Sequence, residues 1–158
     1  MEREPIIAVI GAGQTDARVE EIAERVGAAL ARAGARLICG GLLGVMAAAC
    51  RGAKRAGGFT IGVLPGYSTT DANPWVDVPI ATGLGEARNL VIVRTADAVI
   101  AVGGRYGTLT EIAFALHHGK RVVGLGSWRL AHDEGLPDPV LHASDPEEAV
   151  RLALEGPP

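Results

Sequence analysis

The chain has 158 residues, of which 48% are hydrophobic and 21% charged. That is enough apolar material to bury a core and too much for a disordered segment. The formal net charge is −3 and the Lys and Arg residues are scattered without a run, which argues against a nucleic-acid binder driven by phosphate neutralisation.

The two cysteines, Cys39 and Cys50, form no C-x-x-C pair. The opening residues, Met1 to Pro5, lack the apolar segment of a secretory signal, and no apolar run is long enough for a membrane span. The expected setting is the reducing cytoplasm, away from membranes.

Ile6 to Ile10 is an unbroken apolar run, which predicts a buried strand. Gly11, Ala12 and Gly13 turn the chain, and Asp16 is placed to cap the helix that follows. In that helix Val19, Ile22, Ala23, Val26 and Leu30 share one face, and Gly34 stops it. Arg36 to Cys39 reads as a second strand ending in Gly40 and Gly41. An Ala-rich helix from Gly44 to Ala56 and a strand from Thr60 to Leu64 come next. This alternation predicts right-handed crossovers and a parallel sheet.

Gly66 to Trp75 is turn-rich and predicts an exposed loop. Asp77 to Ala81 predicts a short strand, Gly85 to Arg94 a helix, and Asp97 to Val102 another buried strand. The chain leaves that strand through Gly103, Gly104 and Gly107 and enters a helix that ends near His117 and His118. Thr108 and Glu111 have the spacing of a capping box, which would place the helix start at Thr108. Arg121 to Leu125 is a further strand, and residues 126–139 are irregular. Val140 to His142 suits an edge strand, and Asp145, Pro146 and Glu148 open a last helix. The expected fold is one domain over residues 1–158. It is a doubly wound, Rossmann-like α/β domain, with a mostly parallel sheet of six or seven strands and helices on both faces.

Familiar motifs are missing. Gly11 and Gly13 begin a dinucleotide fingerprint, but Asp16 stands where its third glycine belongs. There is no Walker A loop and no G-x-S-x-G elbow. Adjacent His117 and His118 point to different helix faces, and no zinc-type spacing occurs, so no metal and no required cofactor are expected.

Three glycine turns remain: Gly11 and Gly13; Gly40, Gly41 and Gly44; and Gly103, Gly104 and Gly107, with Arg105, Tyr106 and Thr108 in the last. Each alone reads as a tight turn. In a parallel sheet they converge at one end, where helix starts offer free N–H groups to an anion. The expected partner is a phosphorylated small molecule. Arg88 supplies a planar fork for phosphate or carboxylate, and Glu111 lies close to the third turn.

At these residues the chain resembles the LOG family, formerly labelled lysine decarboxylases. It looks closest to the short-chain branch that includes the molybdenum cofactor carrier proteins. Cys39 to Met46 is similar to the family's Gly-rich segment, and Ile61 to Pro65 to the strand after it. Arg88 matches the functional arginine. Gly104, Tyr106, Gly107, Thr108, Leu109 and Glu111 match the signature written Pro-Gly-Gly-x-Gly-Thr-x-x-Glu. Gly103 replaces its proline, Arg105 its second glycine, and Asn89 follows Arg88 where the enzymes have lysine.

The resemblance implies a homodimer and one of two activities. The first is binding of a phosphorylated nucleotide-like or pterin ligand, with the molybdenum cofactor as the leading candidate. The second is hydrolysis of a nucleoside 5′-monophosphate to base and ribose 5-phosphate, with Arg88 and Glu111 as the catalytic pair. A lysine decarboxylase is not implied.

Overall fold

A computed structural model of the chain describes residues 3–156. Strands and helices alternate: β1 (Ile6–Gly11), α1 (Ala17–Arg32), β2 (Arg36–Cys39), α2 (Val45–Arg55), β3 (Thr60–Leu64), β4 (Val78–Ala81), α3 (Arg88–Thr95), β5 (Ala98–Val102), α4 (Tyr106–His117), β6 (Arg121–Leu125), β7 (Leu141–His142) and α5 (Pro146–Leu154). The strands form one seven-stranded sheet in the order β4-β3-β2-β1-β5-β6-β7. Every neighbouring pair is parallel. The expected α/β class and strand number therefore hold, and the sheet is parallel throughout.

Successive residues of a strand face opposite sides, so both faces of a covered sheet must be apolar. Ile7 and Val9 of β1 pack with Val26 and Leu30 of α1, Ala49 of α2 and Val150 of α5. Ala8 and Ile10 point the other way, into a cluster with Ile92 of α3 and Ile112 and Ala115 of α4. The order reverses between β1 and β5, which run side by side with Gly11 in register with Val102. The chain leaves β1 toward one face and β5 toward the other, so the gap between their C-terminal ends is the switch point of the sheet.

Helix starts follow their caps. Asp16 accepts the Val19 N–H at 2.9 Å, and Asp145 accepts the Glu148 N–H at 2.8 Å. Glu148 reaches back to the N–H of Ser144 at 2.6 Å, one residue before the position of a standard capping box.

The capping box expected at Thr108 and Glu111 does not form. Helix α4 starts two residues earlier, and its cap position is Arg105, with no side-chain bond. Gly103 and Gly104 take φ values of +56° and +102°, which turn the chain into the helix before Thr108 is reached. Thr108 is then a packing residue, 3% exposed, close under Gly104.

The expected loop of residues 66–75 is pinned from within. It contains a 3₁₀ turn, Thr69–Asp71. Buried Asn73 donates its backbone N–H to the Gly41 carbonyl and its side-chain N–H to the Leu42 carbonyl, both at 2.8 Å. Asp77, expected in a strand, precedes β4 and accepts bonds from the Thr60 N–H and Lys54, each at 2.9 Å. Cys39 and Cys50 are buried free thiols with their Sγ atoms 3.5 Å apart, and that bond together with burial pushes the Cys50 thiol up. Among the described residues no helix is long and apolar enough to cross a membrane.

Candidate functional site

At the switch point lies a crevice of about 100 Å³, lined by Val9, Ile10, Gly11, Gly40, Met46, Arg88, Asn89 and Glu111. Met46 also lines a wider groove of about 720 Å³, together with Ala12, Gly13, Gln14, Leu42, Leu43, Asp71 and Arg105. The structure thus gathers residues from β1, the turn after β2, α2, α3 and α4 at one end of the sheet.

Arg88 is the first residue of α3, and its guanidinium is fixed from three sides. Nε donates to the Val63 carbonyl at 2.8 Å, one Nη to the Gly40 carbonyl at 3.4 Å, and the other to Asn89 Oδ1. This explains Gly40. A Cβ there would lie 2.6 Å from Arg88 Nη2 and 2.7 Å from Met46 Sδ, so the guanidinium and the thioether occupy the space of the missing side chain.

Arg88 and Glu111 face one another electrostatically. Burial lowers the Arg88 pKa, and Glu111 opposes that shift. Burial pushes the Glu111 carboxyl up to about 7, against the pull of Arg88. Desolvation outweighs the attraction at both groups. Near neutral pH Glu111 is divided between carboxylic acid and carboxylate, so it can hold a proton beside a fixed cation.

The start of α4 supplies a different kind of group. The first N–H groups of a helix have no acceptor inside it. Here the cap position adds none, because the Arg105 side chain does not bond back. Gly107 is the second residue of this first turn. Its φ is not positive, and a Cβ built on it would meet nothing within 4 Å. Neither backbone conformation nor packing requires glycine at this point, and the space beside the helix start is open here.

Two residues after β6 brace this turn. Ser127 Oγ donates to the Gly103 carbonyl at 2.6 Å, and Trp128 Nε1 donates to the Arg105 carbonyl at 3.1 Å. The Tyr106 ring, 78% exposed, lies 5.8 Å from that of Trp128.

The residues expected at the site separate by position. Gly11, Gly40, Arg88 and Glu111 line the crevice, and Gly13 and Arg105 line the groove. Gly104 borders a shallower hollow with Ser127 and Trp128. Gly41 and Gly44 shape the backbone beneath: Gly44 lets the start of α2 press against the Ala12 carbonyl, where a Cβ would come within 2.3 Å. Gly103 turns the chain, Thr108 packs under Gly104, and Tyr106 is exposed beside Trp128.

Sequence reading missed Gln14, Asp71, Ser127 and Trp128, and named Met46 only as the end of the Gly-rich segment. The available signal was position: each follows the C-terminal end of a strand, where loops of parallel sheets carry sites. A second hollow, at the opposite end of the sheet, is lined by Asp97, Lys120 and Arg121 among others. Its charges are already engaged, Asp97 by Arg3 and Arg121 by the Leu152 carbonyl.

The Glu111 shift has a consequence for stability. Its folded pKa of about 7 lies above the ordinary 4.5, so the folded protein keeps a proton that the unfolded chain releases. The contribution is fully present below the ordinary value and is lost as pH rises through the folded one. Scanning calorimetry is expected to give Glu111→Gln a higher midpoint than the wild type at about pH 8 and an equal one at about pH 4. An equal offset at both would contradict the assignment.

The model of the SLOG cluster4 family matches residues 4–150. The chain belongs to the SLOG cluster4 family. This SLOG cluster4 protein is similar to the molybdenum cofactor binding protein of the phototrophic bacterium Rippkaea orientalis, at 40% identity and a TM-score of 0.88 over 96% of each chain. It is also similar to the molybdenum cofactor carrier protein of Chlamydomonas reinhardtii, at 42% identity and a TM-score of 0.83 over 94% of this chain and 95% of that one. The cytokinin riboside 5′-monophosphate phosphoribohydrolase of Mycobacterium tuberculosis is 32% identical over 134 residues, 79% of this chain and 71% of its own length. The LOG-like kinship read from the glycine turns, Arg88 and Glu111 therefore holds, on the side of the carrier proteins.

Proposed function

We propose that this SLOG cluster4 protein binds the molybdenum cofactor, a phosphorylated pterin, at the switch-point crevice and carries it without turnover. The observations that support this reading most are the uncapped start of α4, open at Gly107, and the crevice that brings Arg88 together with Glu111 of the same helix. N–H groups at a helix start and a fixed guanidinium suit a phosphate. Leu42, Leu43 and Met46 offer an apolar wall to a flat ring. The likeness to carrier proteins along almost the whole chain supports the same ligand. The proposal includes a cytoplasmic homodimer that binds small molecules rather than nucleic acid. In this role Arg88 and the α4 N–H groups hold the phosphate. Glu111, neutral over much of its range, lowers the repulsion an anion would meet.

One observation favours a second reading, phosphoribohydrolase activity. A carboxyl with a pKa of about 7 beside a guanidinium is poised to move a proton near neutral pH. In that reaction the oxygen of water bonds to the anomeric carbon and the C–N bond breaks. Glu111 takes a proton from water and passes it to the leaving base, so that the free base and ribose 5-phosphate form.

The two readings separate in one experiment. The protein is incubated with AMP and N6-modified AMP and assayed for ribose 5-phosphate, with Glu111→Gln as control. In parallel it is mixed with the molybdenum cofactor and examined by native mass spectrometry. The carrier reading expects a cofactor complex and no ribose 5-phosphate above background. Release that depends on Glu111 would overturn it.

A further inference from the structure

The groove beyond Met46 carries two opposite charges that do not meet. Arg105 stands on the rim formed by the start of α4, and Asp71 on the rim formed by the loop of residues 66–75. Neither belongs to an ion pair among the described residues. Between them lie Leu42, Leu43 and Met46, and Leu43 keeps 66% of its surface exposed. An exposed leucine on a groove floor is a place for a flat, apolar face, and a thioether adds a favourable contact with a ring. A guanidinium beside such a ring stacks on it or meets its anionic substituent.

The backbone that carries Asp71 is held in place. Its N–H bonds to the Ser68 carbonyl at 3.3 Å, and Ser68 Oγ accepts the Thr70 N–H at 3.2 Å. The Asn73 bonds then tie this loop to Leu42 of the groove floor and to Gly41 beside it. The carboxylate lies over Gly66, where a Cβ would come within 3.1 Å of Oδ2. A carboxylate at the edge of a ring-sized floor accepts hydrogen bonds and donates none. It is complementary to two neighbouring N–H donors on a ring edge and repelled by a ring nitrogen that carries a lone pair.

We propose that Asp71 selects ligands presenting the 2-amino-4-oxopyrimidine edge, the paired N–H donors shared by guanine and the pterins, while the ring lies on Leu42, Leu43 and Met46. The proposal rests on the reading that the ligand's phosphate occupies the start of α4. Adenine lacks the donor pair because its ring nitrogen beside the amino group is an acceptor. Hypoxanthine keeps one of the two donors and lacks the amino group. Selection then runs against adenine nucleotides, so the same side chain that favours a pterin disfavours AMP.

Isothermal titration calorimetry on the full chain tests this with four probes: GMP, IMP, AMP and a pterin bearing a side-chain phosphate. GMP and the pterin phosphate are expected to bind about tenfold or more tighter than IMP and AMP, the discrimination typical of a two-point edge contact. Whichever of the two binds more tightly identifies the ring system. In Asp71→Asn the GMP-to-IMP ratio is expected to fall to within about twofold, since an amide presents a donor as well as an acceptor. Asp71 is exposed on a surface turn, so the substitution leaves the core untouched. Equal binding of all four probes would overturn the selection and leave the phosphate site standing. A ratio that survives Asp71→Asn would overturn the role of Asp71. Failure of every probe to bind would overturn the phosphate site as well.

Discussion

Replacing Arg88 by alanine is expected to weaken binding of a phosphorylated ligand by ~100-fold or more, the scale of removing one partner from a buried charge contact. The guanidinium is the fixed cation of the crevice, tied to the Val63 and Gly40 carbonyls and to Asn89. Those bonds set its plane before any ligand arrives, so little rotamer freedom is lost on binding. The same substitution removes the pull that holds Glu111 down to about 7. Its carboxyl then titrates higher still, and the pH at which ligand affinity changes moves up with it. Arg88→Lys keeps a charge and loses the fork, so it recovers only part of the affinity. Titration of ribose 5-phosphate into each variant, followed by calorimetry across the neutral range, measures both effects. An Arg88→Ala protein that binds as tightly as the wild type would remove Arg88 from the site.

The second large effect is on folding. Helices α1 and α2 meet backbone to backbone at two glycines. A Cβ on Gly27 would lie 1.9 Å from the Ala49 carbonyl oxygen, and one on Gly52 would lie 1.9 Å from that of Glu24. Helices do not usually approach so closely, and here no flexible side chain is available to yield. Gly27→Ala and Gly52→Ala must push α1 and α2 apart and open the layer that includes Val26, Ala49 and Ala53. Overpacking of this kind costs about 3 kcal/mol, or roughly 6–12 °C in thermal midpoint for a chain of this size. The double substitution is expected to cost less than the sum, because one separation of the helices accommodates both methyl groups. Thermal unfolding of the two single variants and the double variant checks this. Midpoints unchanged from the wild type would mean that the helices pack less closely than described.

This close approach also shows where sequence reading stops. Gly27 and Gly52 lie inside helical patterns, where a glycine reads only as a weak helix former. Nothing local says that another backbone stands opposite. The strands were legible because their apolar runs are continuous, as a sheet covered on both faces demands. Residues 6–10, 36–39, 60–64 and 121–125 needed no tertiary information.

The start of α4 was misread for a definite reason. Thr108 and Glu111 have capping-box spacing, yet two positive-φ glycines turn the chain before Thr108 can act as a cap. The correction matters for function, because an uncapped start keeps its N–H groups available. Asn73, Asp71 and Trp128 lie in segments without periodicity. Asn73 and Trp128 take their roles from long-range bonds to Leu42 and Arg105, and Asp71 from its place on the groove lining opposite Arg105, none of which a short window contains.

The central claim is that phosphate is held by the free N–H groups at the start of α4, that of Gly107 among them. The most direct measurement is a two-dimensional ¹H–¹⁵N NMR titration with ribose 5-phosphate, on the wild type and on Gly107→Ala. In the wild type the largest amide shifts are expected at Tyr106, Gly107 and Thr108, with smaller ones at Arg88 and Gly40. Gly107→Ala is expected to fold with equal or slightly higher stability, since alanine is the better helix former by about 1 kcal/mol, and to lose those shifts. Shifts centred instead on Lys120 and Arg121 at the opposite end of the sheet, or shifts at α4 that persist in Gly107→Ala, would contradict the account.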